Sequence, residues 1–208
     1  MFDVTRYAVA AESIAEAGRF LYQRGWSPAT SSNYSARLDD RHIAITASGR
    51  HKGQLGADDI MVVDSQGQPV QSHCRASAET LLHTSLYGIW PDIGAVLHTH
   101  SVRATVLSSL VPEGSALALE GYELQKAFEG IDTHDCRVLI PVFGNTQDIA
   151  ALADETRAWL QQNPKPPGYL IRGHGLYTWG KTMADCLRHV EALEFLFECE
   201  LETMRVRP

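Results

Sequence analysis

Apolar and polar positions along this chain follow two periods, and the switches between them predict its elements. Residues 5–24 repeat apolar side chains three and four apart until Gly25 stops the run, which predicts a helix. "NYSARL" and "HIAITA" alternate on either side of Asp39-Asp40, which predicts a hairpin. "IMVVD" is a predicted strand that runs into the turn "SQGQ". "SAETLLHTSLYGIW" returns to the helical period, with Ser77 as the predicted N-cap and Pro91 beyond its end. "GAVLHTH" is a short predicted strand, and a helix follows from near Ser101. "SALALEG" and "CRVLIPVF" read as strands, separated by a short helix in "YELQKAFEG". "TQDIAALADETRAWLQQ" is amphipathic and helical. "GYLIRGHGLYTWG" reads as two strands around Gly173-His174-Gly175, and residues 182–204 form a long closing helix. Hairpins interleaved with helices predict an α/β fold on a mixed or antiparallel sheet. No segment repeats, and "NPKPPG", the only linker-like stretch, is too short to separate domains. Residues 1–208 are therefore expected to form a single domain.

The formal net charge of −7 argues against one class of function, because a nucleic-acid binder needs a clustered basic surface. It leaves phosphate ligands open, since a pocket needs only a few local donors. The opening stretch mixes acids with single arginines and holds no unbroken apolar core, so neither a signal peptide nor a membrane span is expected. Cys74, Cys136, Cys186 and Cys199 lie scattered, with no Cys-x-x-Cys pair. Reduced thiols in the cytoplasm are the expectation.

Candidate chemistry gathers on a few positions. In an extended segment alternate side chains share a face, so His98 and His100 point the same way and form half of a zinc-type site. On spacing alone the plainer reading is two satisfied histidines at a strand end, since such pairs are common. His174 is the best third ligand, because glycines on both sides let its backbone approach another element closely. His42, His51, His73, His83, His134 and His189 lack such placement and read mostly as surface or capping residues. Glu79 falls near a predicted helix start, where an acid complements the helix dipole or faces a metal or substrate. Glu123 also falls in a first turn, where capping is the plain role. "ATSSNYSA" and "ITASGRHKG" offer hydroxyls and backbone N–H groups to a phosphate, with Lys52 adding charge and Ser77 a further donor, although ordinary turns use the same residues.

Taken in chain order, "TSSNYSAR", "ITASG", "SAE" around Glu79, "HTH" and "GHG" resemble the class II aldolase family, the group that includes fuculose-phosphate aldolase and ribulose-phosphate epimerase. No single piece is specific; the ordered set is, and it spans most of the chain. The resemblance implies a three-layer α/β/α fold on a mixed, largely antiparallel sheet, assembled as a homotetramer with sites between subunits. It implies Zn2+ on His98, His100 and His174, phosphate-binding loops at Ser32, Asn33, Ser48, Gly49 and Ser77, and an acid/base glutamate at Glu79. Three stretches are similar to the dehydratase branch of that family. "HCRASAETLLH" puts Cys74 at a substrate-pocket position, "GSALALEGYELQK" puts Glu123 at the catalytic glutamate, and "RGHGLYTWGKT" matches the histidine-bearing strand. This chain keeps an acid at Glu79 where other dehydratases of the group can lack one, so two carboxylates compete for the acid/base role.

That branch implies a ketose phosphate bearing a methylthio group, which loses the proton at C3, beside the C2 ketone, and the hydroxyl at C4. Three neutral imidazoles leave zinc its full double charge and open positions for substrate oxygens. Glu123 is expected to protonate the departing hydroxyl and to serve as base at C3, with Glu79 behind the metal or on it when substrate is absent. Cys74 is expected beside the substrate, and Lys52 beside the phosphate loops. Two alternatives stay open: a sugar-phosphate aldolase on the same scaffold, and a metal-free binding domain of the same fold.

Overall fold

The computed structural model describes residues 2–70 and 74–206. Helix α1 (Val4–Gln23) starts where the Asp3 carboxylate accepts the N–H groups of Thr5 and Arg6, and it ends before Gly25, whose φ of +74° only glycine adopts freely. A hairpin of β1 (Asn33–Arg37) and β2 (His42–Thr46) follows, and β3 (Ile60–Asp64) adds antiparallel to β2. Next come α2 (Thr80–Ile89), β4 (Ala95–Thr99), α3 (Val102–Leu110) and β5 (Ala116–Glu120). The chain closes with β6 (Arg137–Phe143), α4 (Ile149–Gln162), β7 (Gly168–Ile171), β8 (Gly175–Gly180) and α5 (Met183–Val206).

All eight strands join one sheet in the order β3-β2-β1-β4-β8-β7-β6-β5. The β6–β7 pairing is parallel and the other described pairings are antiparallel. Strands β4, β7 and β6 therefore run one way, and β8 and β5 run the other.

The period of two sorts each strand between two faces. Ala95 and Leu97 of β4 pack under α1 and α5, while Val96 between them packs on the opposite face with Leu82 and Leu86 of α2 and Leu152 of α4. Near the β5 edge, Ala104 and Leu107 of α3 meet Leu193, Leu196 and Phe197 of α5 over Leu117, Leu119 and Ile140. The result is the three-layer α/β/α fold on a mixed, largely antiparallel sheet. No described helix is long and apolar enough to cross a membrane.

Three details depart from the expectations. Helix α2 starts later than predicted: Glu79, not Ser77, stands at the N-cap, because the Ser77 hydroxyl accepts the Glu79 N–H at 3.3 Å and its carbonyl accepts the Thr80 N–H at 3.1 Å, which closes a turn ahead of the helix. The helix in "YELQKAFEG" is a 3-10 turn, Glu123–Ala127. His83 and His189 are buried rather than surface residues, since both sit on the inward stripes of their helices. His73 lies outside the described residues.

Candidate metal centre

His98 belongs to the middle of the sheet, in register with Asn33 of β1 on one side and Tyr177 of β8 on the other. It is fully buried, and Tyr177 stacks on its ring at 4.1 Å. Its Nδ1–H donates to the Leu176 carbonyl at 2.9 Å, which fixes the tautomer and leaves Nε2 as a bare lone pair. That Nε2 is buried without a hydrogen-bond partner. His100 lies one residue past the strand end, where its N–H donates to the Trp26 carbonyl at 2.8 Å. His174 occupies the β7–β8 turn. Gly173 makes the turn at φ +64°, and Gly175 lies so close to β4 that a Cβ there would stand 2.0 Å from the Thr99 carbonyl oxygen. Helix α3 pins the turn, as Thr105 donates to the His174 carbonyl at 2.9 Å and Ser108 accepts the Gly173 N–H at 3.0 Å. One ligand atom from each of the three histidines lies within 4.8 Å of the others.

Burial, reinforced by the neighbouring imidazoles, holds His98 well below the usual histidine range. Burial, with His174 and Lys52 beside it, pushes His100 down to about 4. Both rings are neutral at pH 7, the form that ligates metal. Above them stands Glu79, with Oε1 3.3 Å from His174 Nε2 and Oε2 3.6 Å from His98 Nε2. The lone pair on His98 Nε2 and the carboxylate oxygen face each other with no proton to share, and a cation is what such a pair accommodates. Three neutral nitrogens and one carboxylate are a donor set that fits a divalent transition ion.

A cleft of about 370 Å³ opens beside this group, lined by Ser48, Ser77, Glu79, Asn145 and His174 among others. Gly49, next to Ser48, has φ +74°. Asn33 donates from Nδ2 to Glu79 Oε2 at 2.7 Å. Ser32 before it holds φ +73° with its hydroxyl buried and unpartnered, a conformation that costs about 1–3 kcal/mol in a residue with a side chain. Lys52 is 1% exposed, and its ammonium donates to the carbonyls of Thr30 at 3.3 Å and Arg50 at 2.7 Å. It thus ties together the two loops that carry Ser32 and Gly49. Burial lowers its pKa to about 8, opposed by Asp59 and Glu79. Cys74 is half-buried, with its thiol 3.8 Å from the Asp58 carbonyl.

Glu123 is not in this group. Its side chain is 73% exposed and pairs with Lys126 at 2.6 Å and His134 at 3.4 Å. It follows the C-terminal end of β5, which runs against β4 and lies four strand positions away from it. Within one chain Glu123 and the histidines therefore lie at opposite ends of the sheet.

The structure also adds residues that the sequence reading passed over. His83, Ser35 and Tyr87 form a buried polar chain behind Asn33. Arg75 lines the cleft together with Asn145, Thr146 and Gln147. The one signal for His83 was its place four residues after Glu79, on the same helix face.

Comparison with known proteins bears on the family and the fold. The family model of the class II aldolase and adducin N-terminal domain matches residues 12–201. A methylthioribulose-1-phosphate dehydratase from Marinobacter nauticus is 75% identical over 207 residues, covering 100% of both chains. Its counterpart from Hahella chejuensis is 60% identical, again over 100% of both. Among solved structures, the L-fuculose-1-phosphate aldolase from Thermus thermophilus shares the fold, with a TM-score of 0.76 at 22% identity over 95% of this chain and 96% of that one. A sugar-phosphate aldolase from Thermotoga maritima does so with a TM-score of 0.67 at 20% identity over 95% and 97%. The chain belongs to the class II aldolase and adducin N-terminal domain family.

Proposed function

We propose that this protein is a lyase that dehydrates 5-methylthioribulose 1-phosphate to 2,3-diketo-5-methylthiopentyl 1-phosphate, a cytoplasmic step of L-methionine salvage, with Zn2+ on His98, His100 and His174. The observation that carries this reading is the end-to-end match to relatives of that name in a chain whose three histidines converge. Zinc, when bound, polarises the C2 ketone and bears the charge that builds as the C3 proton leaves, an effect worth several kcal/mol.

The chain's own residues do the rest. Ser48, Ser77 and the Gly49 backbone, with Ser32 and Asn33 beside them, bind the phosphate, and Lys52 holds their two loops in place. Cys74 lines the pocket without forming a covalent bond. Glu79, restrained by Asn33, presents a carboxylate to the triad. Glu123 takes the C3 proton and delivers one to the departing C4 hydroxyl, a role typically worth about 10²–10⁴-fold. Its distance from the triad of its own chain supports a homotetramer in which Glu123 of one subunit serves the triad of a neighbour.

Metal analysis of the purified protein, paired with turnover of methylthioribulose phosphate followed by diketone absorbance, tests the reading. One zinc per chain and diketone formation are expected, and His98→Ala should remove both together. An active protein free of metal, or release of dihydroxyacetone phosphate from fuculose phosphate in place of diketone formation, would overturn it.

A further inference from the structure

His83 does not line the cleft, yet it is fully buried on α2 one turn after Glu79. Its hydrogen bonds form a chain whose direction is forced from one end. The Glu79 carboxylate only accepts here, so Asn33 must turn Nδ2 toward it, at 2.7 Å. Asn33 Oδ1 then faces His83 Nε2, which must carry the proton. Burial pushes the His83 pKa down to about 3, so the ring is neutral and Nδ1 accepts. Ser35 Oγ therefore donates to Nδ1 at 2.8 Å, and it accepts from the Tyr87 hydroxyl at 3.0 Å.

Two periodicities interlock to build this chain. Asn33 and Ser35 are alternate residues on one face of β1, while Glu79, His83 and Tyr87 are four apart along α2. The consequence falls on Glu79, whose oxygens become unlike. Oε2 is held by Asn33 at 2.7 Å and lies 3.6 Å from His98 Nε2, whereas Oε1 lies 3.3 Å from His174 Nε2. With the His83 donor on its Oδ1 the Asn33 amide is held at both ends; without that donor only the contact with Glu79 orients it.

We infer that His83 is a positioning residue for the metal centre, acting through Asn33 to fix which oxygen of Glu79 is offered to the ion. The inference rests on the zinc site proposed above. It is tested by zinc affinity, measured by competition with a chromophoric chelator on apo-protein shown to be folded by circular dichroism. His83→Phe should weaken zinc binding about 10–100-fold, the usual effect of losing a partner that orients a ligand. His83→Gln, which keeps an N–H at that reach, should recover most of the loss. In a Glu79→Gln background His83→Phe should add less than about twofold, since the group it orients is gone. Should His83→Phe not fold, Ser35→Ala cuts the same chain with a smaller change, and it should weaken binding only while Glu79 is present. Losses that are equal with and without Glu79 overturn the inference and leave His83 a core residue. Wild-type protein that binds zinc no better than His98→Ala overturns the metal site and this inference together.

Discussion

Mixing two inactive variants tests where Glu123 acts. His98→Ala keeps Glu123 but breaks the triad, and Glu123→Gln keeps the triad but removes the acid/base. In one chain the two positions are separated by four strand spacings, about 19 Å at ~4.8 Å each, and lie at opposite ends of the sheet. No side chain spans that gap, so Glu123 cannot serve the triad of its own chain, and each variant alone should be dead because every subunit carries the same lesion. The mixed oligomer distinguishes the cases. A site made of a triad from one subunit and Glu123 from its neighbour is intact when the first subunit is Glu123→Gln and the second is His98→Ala. With equal amounts and random assembly in a closed ring, that holds for half of a half, about one quarter of sites. Co-expression with two different tags, tandem purification of the hybrids and turnover per chain against wild type make the assay. Removing the two kinds of parental tetramer raises that share to about two sevenths, so activity between about a quarter and a third of wild type is expected. Hybrids as inactive as their parents, or a Glu123→Gln enzyme with normal turnover, would refute the reasoning from strand directions.

Packing and proton binding supply two more tests. Gly175→Ala places a Cβ 2.0 Å from the Thr99 carbonyl oxygen and 3.2 Å from His98 Cε1, so β8 must shift from β4; a stability loss of about 1–3 kcal/mol or more by urea unfolding, with weaker zinc binding, is expected, and wild-type values for both would show that the close approach is dispensable. His83 has a folded pKa of about 3 against 6.5 unfolded, so the unfolded chain binds more protons between those values and stability falls as pH drops through that window, by about 2 kcal/mol from pH 7 to 5 and by roughly 5 kcal/mol in all. Urea unfolding of His83→Phe should lack this share of the acid slope, and equal slopes in the two proteins would contradict it.

Most elements were legible because the strands are short and alternate, and because Gly25 and Ser101 mark boundaries chemically. The three histidines were legible for a similar reason: a strand's period of two aligns His98 with His100, and paired glycines advertise the tight turn at His174. What stayed hidden depends on contacts between distant segments. The order and direction of β5 to β8 follow from how helices cover the sheet, and only that order separates Glu123 from the triad. Lys52 looked like a charge for a phosphate, and burial instead committed its ammonium to two carbonyls. For His83 the local sequence offers only its place four residues after Glu79. Its partners lie about fifty residues away on β1, and without them it is one more polar residue in a helix.

The exposure of Glu123 has an evolutionary consequence. His98, His174 and Glu79 are woven into β4, the β7–β8 turn and the start of α2, where exchange of one side chain disturbs several others. Within its own subunit and among the described residues, Glu123 pairs with Lys126 and His134, both exposed there, so replacing it disrupts no packing in that subunit's core. On the proposed assignment, selection can change the proton donor at this position without disturbing the residues packed around the three histidines. A lineage built on this fold can drift from one sugar-phosphate reaction to another without passing through an unfolded intermediate sequence.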